Sequence, residues 1–207
     1  SNDLHVTMMN ASERYQMKKA NEALQTRNMQ LSEKMASGGG GDDGGGSSVG
    51  GEELALSAMN RMLYTFHPNL GTTALRAEAL CRTVAEVMEL TPEDTRTLTL
   101  AAQTHDIGLM NTEVGVVRRW LRDPEKCNRD EMKIIEQHPI TAVEMLKPFP
   151  MFKAAEPIIR AHHEDWNGKG YPNRLKGETS PKGARLLRVA LDFCSKHDDH
   201  IQGMLDI

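Results

Sequence analysis

The chain has 207 residues with 39% hydrophobic and 26% charged side chains, enough for one core domain and an appendage. Its formal charge of -4 and pI near 6.1 exclude the basic footprint of a protein for polymeric nucleic acid. No apolar run approaches the ~20 residues that cross a bilayer, and no signal-peptide pattern is present, so a cytoplasmic setting is expected.

In chain order, residues 1–36 are polar, with Met17, Leu24 and Leu31 at heptad spacing around Ala20. This pattern predicts a signalling-type N-terminal helix that can pair as a short coiled coil, a route to a homodimer. The stretch "SGGGGDDGGGSSVGG" (37–51) cannot bury a core and is expected to be a flexible linker. From Glu52 to Ile207 the pattern is helical. Leu56, Met59, Leu63 and Phe66 form one stripe, and Ala77, Leu80, Cys81, Val84 and Met88 form another. "TPED" (91–94) predicts a helix start with Thr91 as N-cap and Pro92 at the first helical position. "NRDE" (128–131) predicts a capping box. Without alternating β-branched runs or Asn-Gly hairpins, the fold class is all-α. Cys81, Cys127 and Cys194 lack the number and spacing of a disulfide framework or a zinc ribbon and are expected to be thiols.

Three apolar stripes each lead to a histidine. Leu98, Ala101 and Ala102 precede His105; Ile134 and Ile135 precede His138; Ala155, Ile158 and Ile159 precede His162. Helical spacing turns all three inward. Asp106 and His163 follow two of them directly. One inward histidine is usually a core residue, but three with a carboxylate need compensation that a divalent metal provides at once. Nitrogen and carboxylate donors without thiolate suit Fe, Mn, Zn or Ni.

The ordered set "THDIG" (104–108), "EQHP" (136–139), "HHEDWNGKGYP" (162–172) and "LKGE" (175–178) resembles the HD-GYP family of metal-dependent phosphohydrolases. The resemblance implies an HD-type helical bundle carrying two or three metals, often Fe or Mn, with Zn, Ni and Mg as further options. It implies hydrolysis of cyclic di-GMP, a bacterial second messenger, by a metal-bound hydroxide. Carried over residue by residue, Asp106 bridges the metals, His138, His162 and His163 complete one site, and His105 binds the other. Asp106 and His105 are then the catalytic pair. Tyr171, Gly170, Lys169 and Lys176 of the GYP loop face substrate or partner proteins such as diguanylate-cyclase-type domains.

The sequence also departs from the family pattern. A family histidine aligns with Thr72 or Thr73, a phosphate-gripping lysine with Leu109, and an aspartate ligand with Leu191. Asp192, one residue on, falls on a different face from the inward stripe Leu187, Ala190, Leu191 and Cys194. Arg174 takes the place of a glycine where the backbone often needs a positive φ. Glu164 and Asp165 are expected to be plain acids at a helix end. One site is therefore intact and the second is short of ligands. Two functions fit this loss: a weakened phosphodiesterase, or an impaired module that binds the nucleotide or a partner and relays a signal.

Overall fold

The computed structural model describes the backbone of residues 47–205 and the side chains of residues 50–194. The described residues fall into two units, 47–57 with 201–205, and Ala58–His200. The expected N-terminal helix and residues 37–46 of the glycine-rich stretch lie outside the described residues. Among the described residues there are eight α-helices and no strand: α1 (Ser47–Phe66), α2 (Pro68–Val87), α3 (Pro92–Thr104), α4 (Val114–Arg122), α5 (Arg129–Glu136), α6 (His138–Leu146), α7 (Glu156–Ala161) and α8 (Lys182–Leu205). Short 3-10 turns link them, and Asn167 and Lys176 form one isolated antiparallel bridge. α1 thus begins inside the glycine-rich stretch.

Both expected caps form. Thr91 Oγ1 accepts from Asp94 N at 3.1 Å with Pro92 in the first turn of α3. Asn128 Oδ1 accepts from the backbone N–H of Asp130 and Glu131 at 2.9 Å, and Glu131 Oε2 accepts from Asn128 N at 2.9 Å. Such caps satisfy amide donors that the first turn of a helix leaves open. α2 buries a line of small residues, Ala74, Ala77, Cys81 and Ala85, which lets α3 lie closely along it with Leu98, Ala101 and Ala102. A core cluster of Leu63, Leu70, Ala74, Leu109, Val116, Val117 and Ile135 closes the bundle under α4 and α5.

Two predicted stripe positions face solvent instead. Met88 is exposed because α2 stops at Val87, and Glu89, at φ 51°, turns the chain away. Ile134 is exposed while its neighbour Ile135 is fully buried, because α5 is short and shows one narrow face to the core. All three cysteines are thiols. Burial, with Cys194 next in effect, pushes the Cys81 thiol up to about 12, so it packs as an apolar group.

Candidate metal centre

The histidines sit at helix ends, and the backbone there sets their chemistry. The last carbonyls of a helix lack intrahelical partners. His105 Nδ1 donates to Ala102 O (2.9 Å), His138 Nδ1 to Ile135 O (2.7 Å) and His162 Nδ1 to Ile159 O (2.6 Å). Each ring reaches back three residues in the same way, and a carbonyl can only accept, so each Nδ1 carries the proton. For a neutral ring the Nε2 lone pair is then free and pointed inward, as expected for a metal-binding imidazole held by an outer hydrogen bond.

Gly108 brings two of these ends together. A Cβ added there would lie 2.1 Å from His138 O and 2.6 Å from Ala142 N, so only glycine lets the 3-10 turn Ile107–Asn111 pack onto α6. Asp106, just before that turn, consequently faces His138. Its Oδ1 lies 3.2 Å from His138 Nε2 and 3.8 Å from His162 Nε2, and the two Nε2 atoms are 3.2 Å apart. With both Nδ1 protons committed to carbonyls, these contacts set acceptor against acceptor. Asp106 Oδ1 and His163 Nε2 accordingly have no hydrogen-bond partner although both are buried. Convergent lone pairs without a proton between them fit a cation at their centre. Ligand atoms of Asp106, His138, His162 and His163 all lie within 4.8 Å of one another.

His105 stands beside this group rather than in it, with Nε2 3.2 Å from Asp106 Oδ2. Burial works against charge on His105, but the neighbouring Asp106 carboxylate outweighs it and raises its proton affinity. Burial alone would push Asp106 up; the neighbouring His105, then His138, hold its carboxyl well below the usual range. Burial, followed by the neighbouring histidines, holds His162 and His163 well below the ordinary imidazole value. Both are therefore neutral at pH 7, the form that can coordinate.

The second-site positions offer no replacement ligands. Thr72 Oγ1 donates to Pro68 O at 2.9 Å within its own helix. Leu109 is fully buried in the core cluster and Leu191 is 8% exposed. Asp192 is exposed, with Oδ1 3.4 Å from Arg188 Nε, on a different face from the buried stripe.

The loop after His163 closes one side of the site. Tyr171 N donates to His163 O at 3.1 Å, and the Tyr171 ring stacks on His163 with centroids 4.6 Å apart. Burial, reinforced by the Asp106 charge, pushes the Tyr171 phenol up, so it stays protonated. A Cβ on Gly170 would lie 2.3 Å from both Asp165 N and His163 O, which makes glycine obligatory there. Tyr171-Pro172 is a cis peptide. Arg174 adopts φ 55°, the left-handed conformation that its alignment with a glycine suggests. Lys169 and Lys176 are exposed along this loop.

Three residues of the site were not anticipated from sequence. Glu164 is a loop anchor rather than a plain acid: 3% exposed, it accepts from Asn173 N (2.7 Å) and Leu175 N (2.8 Å). Its adjacency to the histidine pair was the available signal. Trp120 on α4 approaches His138 and His163 with ring centroids 6.2 and 6.4 Å away, and no local spacing announces that contact. Arg188 on α8 donates to His163 Nδ1 at 3.2 Å, a contact across 25 residues of sequence.

A profile of the HD domain family matches residues 57–201. The chain belongs to the HD domain family. Its ordered histidine and GYP motifs place it with the HD-GYP group. This HD domain is 33% identical over 124 residues to the cyclic di-GMP phosphodiesterase response regulator RpfG of Xanthomonas campestris pv. campestris, covering 58% of this chain and 32% of the relative. It is 30% identical over 122 residues to 3'3'-cGAMP-specific phosphodiesterase 2 of Vibrio cholerae (58% and 23%). It is also 30% identical over 112 residues to a cyclic di-GMP phosphodiesterase of Thermotoga maritima (53% and 29%). The aligned part is thus about a third or less of these relatives' length. Among the described residues no helix is long and apolar enough to cross a membrane.

Proposed function

We propose that this HD domain is a cytoplasmic metal-dependent phosphohydrolase that cleaves a phosphodiester bond of cyclic di-GMP, at a rate lowered by the loss of second-site ligands. The observation that carries this reading is the convergence of Asp106 Oδ1, His138 Nε2 and His162 Nε2, 3.2 to 3.8 Å apart, with no proton between them. Relatives named for cyclic di-GMP and for 3'3'-cGAMP support a cyclic dinucleotide as substrate.

In this reading Asp106, His138, His162 and His163 surround a divalent ion, with Fe or Mn suited to nitrogen and carboxylate donors. When bound, such an ion supplies Lewis acidity to activate water and neutralise phosphoryl charge. Asp106 turns its second oxygen toward His105, so the carboxylate would reach a cation held by His105 as well as one held by His138 and His162. The replacement of ligand and lysine positions by Thr72 or Thr73, Leu109 and Leu191 removes electrostatic contributors, each worth ~100- to 1000-fold in rate. Gly170 and Tyr171 shape the entrance, and Lys169 and Lys176 offer charge to the phosphates. The same loop is the surface for diguanylate-cyclase-type domains, and residues 1–36 serve for pairing.

The test uses protein purified without oxygen and loaded with Mn²⁺ or Fe²⁺, incubated with cyclic di-GMP and followed by chromatography. Slow release of linear dinucleotide or GMP that Asp106→Asn abolishes is expected. Nucleotide binding without turnover at full metal loading would overturn the hydrolase reading and leave the relay module.

A further inference from the structure

Trp166 is 64% exposed, more than any other aromatic side chain among the described residues. The backbone around it is nonetheless fixed. Its carbonyl accepts from Gly177 N at 3.0 Å, and Asn167 pairs with Lys176 in the isolated bridge. Gly177, at φ 57°, passes close to the indole, where a Cβ would lie 3.8 and 4.0 Å from Cζ2 and Cη2. The Arg185 guanidinium stands over the ring, 5.5 Å from its centroid, within the range of a cation–π contact. Such a ring is oriented before any ligand arrives, so little freedom is lost on binding.

The charge around Trp166 is mostly of one sign. From Trp166 to Arg188 there are six basic residues and one acid, in a chain whose net charge is -4. Lys169, Lys176 and Arg185 have no carboxylate partner among the described residues, and Arg185 Nε is buried without a hydrogen bond. Glu178, the acid, is exposed and pairs with none of them. An uncompensated guanidinium held against an aromatic face suits an anion that carries a ring. The metal centre is close by: Arg188, three residues after Arg185 on the same side of α8, reaches His163 Nδ1 at 3.2 Å. Resting on the cyclic dinucleotide reading above, we propose that Trp166 is a stacking platform that selects a purine base of that ligand. Arg185 and Lys176 meet the phosphate that is not at the metal. Every base offers a π face, but a purine offers the larger one and stacks more strongly.

The test is equilibrium dialysis of the full chain, metal-free and loaded with Mn²⁺, against cyclic di-GMP and cyclic di-UMP, with chromatography confirming intact ligand. Wild type is expected to favour the purine dinucleotide by at least ~10-fold. Trp166→Ala should weaken cyclic di-GMP by about 10-fold or more and leave cyclic di-UMP within ~3-fold, so the preference collapses. Trp166→Phe keeps a π face and should retain most of that preference. Arg185→Gln should weaken both nucleotides alike and flatten the salt dependence, the signature of a lost phosphate contact. If Trp166→Ala does not fold, the emission of Trp166 in a Trp120→Phe background takes its place. Stronger quenching by cyclic di-GMP than by cyclic di-UMP is then expected. No purine preference in wild type, equal losses for both nucleotides, unchanged affinity in Trp166→Ala or equal quenching would overturn the proposal and leave the cyclic dinucleotide reading standing. Absence of cyclic di-GMP binding to wild type in both metal states would sink that reading first, and the platform with it.

Discussion

Gly108→Ala tests whether the packing of one turn onto α6 builds the metal centre. The added Cβ would meet His138 O at 2.1 Å and Ala142 N at 2.6 Å, against a floor of 3.0 Å for real Cβ contacts. Both atoms are backbone, so no side chain can swing aside, and α6 must withdraw by about 0.9 Å or more. His138 heads that helix and moves with it, away from Asp106. Overpacking of this kind costs about 1–3 kcal/mol, or a Tm lower by about 2–12 °C for a domain of this size. A displacement near 1 Å also costs a geometry-dependent site on the order of 100-fold in function. The assay pairs thermal unfolding by circular dichroism with metal affinity by chelator competition. Gly115→Ala is the control, since its Cβ would meet only the Glu113 carboxylate oxygen at 3.3 Å. In α4 that change should leave Tm unchanged or raise it, by up to about 1 kcal/mol of helix propensity. If Gly108→Ala matched this control in both Tm and metal affinity, close approach of the turn to α6 would not be what assembles the site.

Leu109→Lys restores the family's residue type but not its function, because Leu109 packs among Leu63, Leu70, Val117 and Ile135. It should cost about 3–5 kcal/mol as an uncompensated buried charge, read as a lower urea midpoint; unchanged stability would show that the position opens toward the site. Arg174→Gly should stabilise by about 0.5–1 kcal/mol, because the residue sits at φ 55° where a Cβ is strained. Arg174→Ala should give no such gain, and an equal gain would assign the effect to charge instead. Metal-free protein should lose stability as pH falls below 6.5, the unfolded value for His162 and His163, whose folded proton affinities are depressed. The unfolded chain then binds two more protons, a slope of about 2.7 kcal/mol per pH unit. His105, raised in the fold, adds stability below 6.5 that is lost as pH rises through its folded value, so it does not offset that slope. Asp106, depressed, loses its share only as pH falls below 3.8 through its folded value. A urea midpoint flat between pH 7 and 5 would contradict this assignment of neutral imidazoles.

The all-helical class, both caps and the inward course of His105, His138 and His162 follow from local sequence. Capping and helical periodicity act over a few residues, and Thr91, Asn128 and Ile159 carry their signals beside the positions they control. The left-handed Arg174 was legible by another route, the family resemblance that puts a glycine at its position. Met88 and Ile134 failed because periodicity does not state where a helix ends or how wide its buried face is. What tertiary structure alone decided is how the helix ends meet. Gly108 identifies itself only against the backbone of α6, thirty residues later. Glu164 is an anchor only because the loop folds back to offer it two amide protons. Arg188 reaches His163 because α8 packs beside the GYP loop, and no spacing in the chain encodes that contact. Sequence fixes which donor atoms each turn presents, because those hydrogen bonds span three or four residues. Which of them become ligands depends on lone pairs brought together from helices far apart in the chain.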